Sequence, residues 1–436
     1  HNARRARTPV VNIVGDHATY HKQYDAPLES DIDAIASAVS GWYRRSTSPA
    51  DVAADTADAV AAALAPPGQV ATLVLPADVC WLPAPGGPAT PRAVTSTDPV
   101  DSDTVATVAA LLRSGEPVTL LVGGRTLTRD GTLAAARIAE HTGARLLCET
   151  FPARQARGDG LPDIPRLAYL AEFAQMQLDG TRHLVLVDTV EPVSFFAYPE
   201  KASVLRPADA DVLTLAGPTS DPVATLEALA EAIGAGDAVT APDPGRPDRP
   251  TGAIDLTTLA AAIGATLPDG AIVADEANTS GLAVPGATAG GPAHDWLCLT
   301  GGSIGIGLPL ALGASIACPD RRVVAVEADG SAMYTLQALW TMARENTDVT
   351  VVIADNRSYA VLNMELDRVG ADAAGPRARA MLDLHGPDLD FVALAQGMGV
   401  DAVRVDTAED LTTQLEHANG RPGPHLIDAV MAPIDL

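Results

Sequence analysis

Two side chains that carry oxygen atoms follow two apolar, strand-like runs of the sequence. Asp329 stands shortly after the run from Val323 to Val326, and Asn356, 27 positions after Asp329 (356 − 329), follows the run from Val349 to Ala354. A carboxylate, an amide oxygen and one loop carbonyl, for which Ser358 is the candidate, would suit a Mg2+ ion that also holds phosphate oxygens. The alternative is that Asp329 caps a helix and Asn356 forms a turn.

The elements that must position these two residues form a predicted βαβ unit. Between the two runs, the apolar residues have the spacing of a helix: Met333, Leu336, Leu339, Trp340 and Ala343. Parallel strands joined by a right-handed crossover end at the same edge of a sheet, so Asp329 and Asn356 can meet there. Asp329 and Gly330 lie where the strand passes into the helix, beside free N–H groups that favour phosphate.

The same residues resemble the metal motif of thiamine diphosphate (ThDP) enzymes. That motif has Gly-Asp-Gly and then Asn-Asn at about this spacing, and here it stands as Ala328-Asp329-Gly330 and Asp355-Asn356. Neither departure falls on an expected side-chain ligand, so the site should be retained. The stretch GSAMYTLQALWTMA is most similar to benzoylformate decarboxylase, within the wider acetolactate synthase group. The resemblance implies ThDP and Mg2+ as cofactors, with Asp329, Asn356 and Ser358 at the metal.

Further cofactor contacts are implied by the resemblance. The diphosphate is expected to contact Gly330, Ser331, Ala332 and Tyr359. A stretch that begins at Glu276 is similar to a diphosphate-binding loop of benzoylformate decarboxylase and supplies three more candidates, Asn278, Thr279 and Ser280, which could equally form a turn or cap a helix.

A glycine-rich stretch, GGSIGIG at 301–307, precedes a predicted helix. Its spacing does not match the GxGxxG pattern of dinucleotide-binding proteins. In the resemblance, Gly302 supports the central part of the cofactor and Ile304 wedges between its two rings. The alternative for Ile304 is an ordinary core residue.

The resemblance covers essentially the whole chain and implies three flavodoxin-like, doubly wound α/β domains with mainly parallel sheets. Residues 1–82 correspond to the second half of the pyrimidine-binding domain, 100–236 to the central domain and 251–436 to the diphosphate-binding domain. Linkers rich in Pro and Gly separate them. The chain starts at His1 without Met and runs at once into a strand, so we expect a missing preceding segment, which would hold the Glu that activates the cofactor in this family.

Two histidines follow the first predicted strand. His17 and His21 come after Gly15-Asp16, on the edge where the active site of the family opens, and could supply an acid, a base or a substrate hydrogen bond. The alternative is a surface or structural role. Pro27 and Leu28 are nearer the apolar pair of benzoylformate decarboxylase than the His or Phe-Gln pairs of other members, which argues against plain acetolactate synthesis.

The central region contains Gly123-Gly124 after a predicted strand, but no GxGxxG with a downstream acid. We therefore predict a structural role for this pair. The arginine that helps to hold flavin in acetolactate synthases is not evident in this region. FAD is consequently a doubtful cofactor.

The composition and charge of the chain limit the classes of partner that it can bind. The chain has 436 residues and a formal net charge of −26, which argues against nucleic acid and anionic membranes because both would be repelled. Its four cysteines, Cys80, Cys148, Cys298 and Cys318, show no CxxC spacing and are interpreted as buried hydrophobes in a reducing compartment. With no long apolar run and no signal peptide, we expect a cytoplasmic protein.

The function that follows is decarboxylation of a small-molecule 2-keto acid with ThDP and Mg2+, with or without ligation to a second carbonyl compound. The resemblance places the cofactor between two subunits, so a homodimer or homotetramer is expected. A catalytically idle homologue with a binding or regulatory role is the alternative. A third possibility, a nicotinamide-dependent oxidoreductase, is supported only by the glycine residues of the sequence.

Overall fold

Three β-sheets, of three, four and seven strands, carry the fold. The computed structural model describes residues 1–371 and 375–432. The named strands of these sheets pair in parallel except at one junction, where a three-residue strand pairs antiparallel with its neighbour. The predicted α/β class with mainly parallel sheets is confirmed. The chain folds into two compact units, and the three domain ranges stay a prediction.

The first unit comprises His1–Asp101, Ala216–Asp221 and Thr300–Gly302. Its sheet has the order β1-β3-β2, and Leu73 on the central strand is fully buried with Ala59 and Ala63 of a helix. Its elements in chain order are α1 (Asn2–Arg5), β1 (Val10–Asp16), α2 (Ile32–Val39), β2 (Trp42–Arg45), α3 (Val52–Leu64), β3 (Val70–Pro76) and α4 (Ala77–Trp81).

The second unit begins with the helices and strands of the central region. These are α5 (Ser102–Arg113), β4 (Val118–Val122), α6 (Arg129–Thr142), β5 (Arg145–Cys148), β6 (Gln155–Arg157), α7 (Ala171–Leu178), β7 (His183–Val187), β8 (Asp211–Ala216) and α8 (Pro222–Ile233). Four of the strands form a sheet in the order β5-β4-β7-β8, in which β4 is parallel to both β5 and β7. The fifth strand, β6, is not part of this sheet but belongs to the seven-stranded sheet.

The seven-stranded sheet has the order β13-β14-β12-β11-β9-β10-β6. Buried apolar clusters lie on both of its faces, which explains why its strands are almost continuous apolar runs. Its elements after β6 are α9 (Leu256–Thr266), β9 (Ala271–Glu276), α10 (Val284–Thr288), β10 (His294–Cys298), α11 (Gly307–Ala317), β11 (Val323–Ala328), α12 (Asp329–Thr335), α13 (Ala338–Glu345), β12 (Val349–Asp355), α14 (Ala360–Arg368), α15 (Pro376–Ala380), α16 (Phe391–Gly397), β13 (Asp401–Val405), α17 (Ala408–Asn419) and β14 (His425–Val430).

The crossover between β11 and β12 differs from the single predicted helix. It consists of α12 and α13, which are separated at Leu336 and Gln337. At the end of α12, the Thr335 hydroxyl donates to the Gly305 carbonyl oxygen at 2.8 Å, which ties this turn to the glycine-rich stretch. Two of the predicted apolar-face residues, Met333 and Trp340, are 41% and 53% exposed.

Two further observations bear on the composition analysis. Cys148 and Cys298 are buried, Cys318 is half-buried and Cys80 is exposed, so the prediction that all four cysteines are buried is wrong for Cys80 and only partly correct for Cys318. Cys80 lies in the short helix α4, close to the exposed Trp81 and Leu82. Within the described ranges, no helix has the length and apolar character needed to cross a lipid bilayer.

Candidate metal and diphosphate site

Asp329 and Asn356 lie at the carboxyl ends of neighbouring strands, as predicted. β11 and β12 are parallel partners from Val323↔Val349 to Ala328↔Ala354. The Asp329 side chain is 1% exposed, and its Oδ1 accepts the Gly330 N–H at 2.7 Å. Its Oδ2 accepts the Arg357 N–H at 2.6 Å, which joins the segment after β12 directly to Asp329.

The loop after β12 is ordered around Asn356. Asn356 is 3% exposed, and its Oδ1 accepts the Ser358 N–H at 2.9 Å. The Arg357 backbone has φ +59°, a left-handed conformation that this tight turn requires. The Tyr359 N–H donates to the Leu382 carbonyl at 2.9 Å, so the loop is also held from a later part of the chain.

The electrostatics of this edge favour a bound cation. Burial and the neighbouring Asp355 carboxylate raise the pKa of Asp329 to about 7. Among the described residues, neither carboxylate has a salt bridge to a basic side chain. A divalent cation would relieve this repulsion, and a carboxylate with an amide oxygen is the hard donor set that Mg2+ prefers. The described chain has no group of three or more His, Cys, Asp or Glu side chains that could hold a metal, so the other ligands of such a cation would be carbonyl, phosphate or water oxygens.

Side chains of the predicted diphosphate loop meet the same edge. Asn278, with φ +49°, donates from Nδ2 to Ser331 Oγ at 3.1 Å. Ser280 Oγ accepts from Asn356 Nδ2, also at 3.1 Å. The structure therefore brings Asn278, Ser280, Ser331 and Asn356 together, with Thr279 half-buried between the first two.

The first turn of α12 is covered by a tyrosine. A Cβ added to Gly330 would lie 2.3 Å from Cε1 of Tyr359, so only glycine fits there. Tyr359 donates from its hydroxyl to the Gly330 carbonyl oxygen at 3.5 Å. Ala332 is fully buried in the core on one face of the sheet, which leaves only its backbone for any ligand contact.

The glycine-rich stretch is held by an acid that the sequence analysis did not assign. Glu276, the last residue of β9, accepts the N–H groups of Gly305 at 2.8 Å, Ile306 at 3.3 Å and Gly307 at 2.6 Å. Ile304, which precedes this turn, is half-buried, and its role beside the cofactor stays a prediction. Gly302, with φ +69°, belongs to the first unit.

A second unassigned acid lies beside Glu276. Glu327 is its register partner on β11 and is 0% exposed. Burial and the Glu276 carboxyl raise the pKa of Glu327 well above its usual value, and among the described residues neither Glu327 carboxyl oxygen has a hydrogen-bond partner. A Cβ on Gly307 would lie 2.1 Å from Glu327 Oε2. The sequence feature that could have indicated Glu327 is a single acidic residue inside the apolar run VVAVEA.

The histidines of the first unit lie close together. The His17 and His21 rings are 5.4 Å apart, and the His21 ring is 5.8 Å from Tyr24. His21 is exposed and His17 half-buried. Their role in catalysis stays a prediction.

The edge of the four-stranded sheet is occupied by acids. The Gly124 N–H donates to Glu149 Oε1 at 2.8 Å, and the Arg125 N–H donates to Asp188 Oδ2 at 2.8 Å. A Cβ on Gly123 would lie 2.7 Å from the Glu149 carboxylate. These contacts give the two glycines a role in the packing of this edge, in keeping with the predicted structural role.

Comparisons with known proteins show the family of this chain. Residues 286–429, which include Asp329, Asn356 and Tyr359, match the family described as "Thiamine pyrophosphate enzyme, C-terminal TPP binding domain". A Mycobacterium tuberculosis protein named "Putative acetolactate synthase large subunit IlvX" is 54% identical over 434 residues, which are 99% of this chain and 83% of that protein.

Two more relatives extend the comparison. Benzoylformate decarboxylase of Pseudomonas aeruginosa is 38% identical over 128 residues, 29% of this chain and 23% of that protein. The solved structure of the ThDP-dependent 4-hydroxybenzoylformate decarboxylase of Rhodococcus jostii RHA1 has a TM-score of 0.85 at 24% identity, with 100% of this chain and 84% of that chain covered, and shows the shared three-domain fold. The identity over almost the whole chain, with the matched domain, shows that the protein belongs to the thiamine diphosphate-dependent enzymes and is acetolactate synthase-like.

Proposed function

We propose that this protein binds ThDP with Mg2+ and decarboxylates a 2-keto acid, with or without ligation of the product to a second carbonyl compound. The observation that carries the proposal is the buried Asp329 carboxylate. It lies next to Asp355 without a basic partner among the described residues, and it is bonded to the loop that holds Asn356. This arrangement favours a divalent cation, and Mg2+ with a diphosphate is the combination expected of the family.

The residues present fit both groups. Asp329, Asn356 and the Ser358 carbonyl would hold Mg2+. The diphosphate would be bound by residues that converge on the same edge, namely Asn278, Thr279, Ser280, Gly330, Ser331, Ala332 and Tyr359. When bound, ThDP supplies the electron sink for loss of carbon dioxide from the 2-keto acid.

The protein itself keeps the residues around that group in a fixed arrangement. Glu276 fixes the turn from Gly305 to Gly307 through three backbone hydrogen bonds. This turn follows Ile304, which would support the cofactor rings. A turn held by a buried carboxylate changes shape little when ligand binds, and such preorganisation places reacting atoms productively.

The relatives guide the choice of substrate and assembly. The names of two of them, benzoylformate decarboxylase and 4-hydroxybenzoylformate decarboxylase, support aryl 2-keto acids as the first compounds to screen. The name of the Mycobacterium tuberculosis relative supports pyruvate as the next. We also propose a homodimer or homotetramer, in keeping with the family.

The test is calorimetric titration of the protein with ThDP in the presence of Mg2+, repeated with Asp329→Ala. We expect saturable binding that the substitution abolishes, because the main metal ligand is lost. Release of carbon dioxide from the 2-keto acids is then measured. A folded wild-type protein that does not bind ThDP would overturn the proposal, and binding without turnover of any 2-keto acid would favour the catalytically idle alternative.

A further inference from the structure

The helix that follows the candidate metal loop is attached mainly through polar groups. α14 starts directly after Tyr359, and of its nine residues only Ala360 is buried. Leu362 is 44% exposed. Apolar packing therefore contributes little to holding α14, and its position must depend on hydrogen bonds and ion pairs.

One such attachment involves Glu365. Its Oε1 accepts a hydrogen bond from the Tyr198 hydroxyl at 2.9 Å and another from the Tyr169 hydroxyl at 3.4 Å. Burial and then the Glu365 carboxylate raise the pKa of Tyr169, and the pKa of Tyr198 is raised for the same reasons. Both phenols therefore remain protonated donors at neutral pH. The Glu365 carboxylate thus binds two tyrosines that stand 196 and 167 positions earlier in the chain.

A second attachment lies one helical turn further along. Arg368 donates from Nη2 to both oxygens of Glu172, at 3.0 and 3.3 Å, and its guanidinium stacks 4.4 Å above the centre of the Tyr198 ring. Lys201 also pairs with Glu172, at 2.9 Å. The hydrogen bond from Lys201 and that from Arg368 lower the pKa of Glu172 to about 2. The Glu365 and Arg368 side chains are each 18% exposed, so solvent screens them only partly.

The amino-terminal end of α14 reaches the metal loop. Asn363 donates from Nδ2 to Ser358 Oγ at 3.0 Å. The Ser358 N–H is bonded in turn to Asn356 Oδ1. From Ala360 to Glu365 the helix rises only about 7.5 Å, at 1.5 Å per residue. A shift of the anchored half would therefore be transmitted to the loop.

We propose that Glu365 and Arg368 are positioning residues for the loop that binds Mg2+ and diphosphate. Tyr169, Glu172, Tyr198 and Lys201 hold them, and α14 connects them to Asn356 and Ser358. The inference rests on the proposed function, since it assigns this network to the same site. It goes beyond that function by placing determinants of cofactor affinity in a part of the chain that contributes no ligand.

The test compares Glu365→Gln with Glu227→Gln. Glu227 is the matched control, because its carboxylate also joins two segments of the second unit through a partly buried arginine, Arg137, on helices that carry no candidate ligand. Calorimetric titration measures the affinity for ThDP at fixed Mg2+. We expect Glu365→Gln to weaken binding about tenfold or more, as is usual for partners that support metal ligands, and Glu227→Gln to leave it unchanged.

Tyr198→Phe provides a second variant that keeps the ring under Arg368 and removes only the hydroxyl. It should weaken ThDP binding in the same direction and increase proteolytic cleavage of α14 in the absence of ligand. If both variants lower the melting temperature but bind ThDP as tightly as the wild type, the network is only structural and the inference is wrong. If the wild type does not bind ThDP, it is the proposed function that fails.

Discussion

The carboxyl ends of the two larger sheets use acidic residues in different ways. At the four-stranded sheet, Glu149 and Asp188 accept the N–H groups of the glycine turn, and Asp188 also lies 3.3 Å from Nε of Arg125. At the seven-stranded sheet, Glu276 accepts the N–H groups of the glycine turn. Asp329 lies beside Asp355 and has no salt bridge among the described residues.

This difference indicates what each edge can bind. Backbone N–H groups at the end of a parallel strand often donate hydrogen bonds to phosphate, but at the four-stranded sheet they already donate to carboxylates, which would repel a further anion. At the seven-stranded sheet, Asp329 and Asp355 lie side by side without a basic partner among the described residues, so a positive charge placed there would be stabilised. The acids of the two edges therefore differ in their partners: Asp188 is paired with Arg125, whereas Asp329 and Asp355 have no salt bridge among the described residues.

The largest effect should come from removing the acid that holds each glycine turn. Glu276→Ala leaves three N–H groups without their acceptor, and each buried unsatisfied donor costs about 1–3 kcal/mol. We expect the free energy of unfolding to fall by about 3 kcal/mol or more. Glu149→Ala should cost less, because Glu149 accepts one N–H of its glycine turn, that of Gly124, together with the Thr189 hydroxyl. Chemical denaturation measures both, and equal losses would mean that the two edges are held alike.

The next prediction concerns stabilisation by ligand. With Mg2+ and ThDP at 100 times the dissociation constant, binding should raise the free energy of unfolding by about 2.7 kcal/mol. Asp329→Asn should abolish this increment, whereas Asp188→Asn should retain it from a lower starting stability. Thermal unfolding with and without ligand measures the increment. Its persistence in Asp329→Asn would contradict the assignment of this edge as the metal site.

The smallest predicted effect is a pH dependence at the opposite, amino-terminal ends of the strands. His294 begins β10, where burial lowers its pKa to about 4. His183 begins β7, where Nε2 lies 2.8 Å from a Glu116 oxygen. Between pH 6.5 and 4, the unfolded chain binds a proton at His294 that the folded protein does not.

The stability that His294 contributes should therefore fall as the pH decreases through this interval, whereas Asp329, whose pKa is raised, takes up a proton in the folded protein and acts in the opposite direction. We expect the His294 contribution to decrease by about 1–2 kcal/mol between pH 6.5 and 5, at 1.36 kcal/mol per pKa unit. It is measured as the difference in the free energy of unfolding between the wild type and His294→Gln, from denaturant titrations at a series of pH values, with His183→Gln as the control substitution. A difference that does not change with pH would locate the acid sensitivity elsewhere.

The sequence predicted the elements that have long apolar runs. The two runs predicted as strands, Val323 to Val326 and Val349 to Ala354, lie within β11 and β12. They are buried on both faces of parallel sheets, so their pattern is visible without the fold. β2, β6, β10 and β13 were missed, because sequences such as WYRR and HDWLC contain no such run and become strands only through pairing with distant partners.

The site was predictable where side chains follow strands, and less so where they lie within them. Asp329, Asn356, Asn278, Ser280 and Ser331 meet, because strand order brings the ends together. Glu327 lies inside a strand, and its importance depends on Glu276 being its register partner on β9. No spacing along the chain encodes that register. The network on α14 was missed for the same reason.

The short strand β6 has a consequence for dissecting this protein. It pairs antiparallel with β10 at the end of the seven-stranded sheet, and nearby Arg157 and Arg166 stack on Trp296, which is 0% exposed. A fragment that begins after the second linker would lack β6, leaving the outer edge of β10 with unpaired backbone groups beside an uncovered indole. Such an edge can pair with a second copy. Residues 251–432 expressed alone should therefore aggregate, and addition of a segment that contains residues 150–170 should suppress the aggregation.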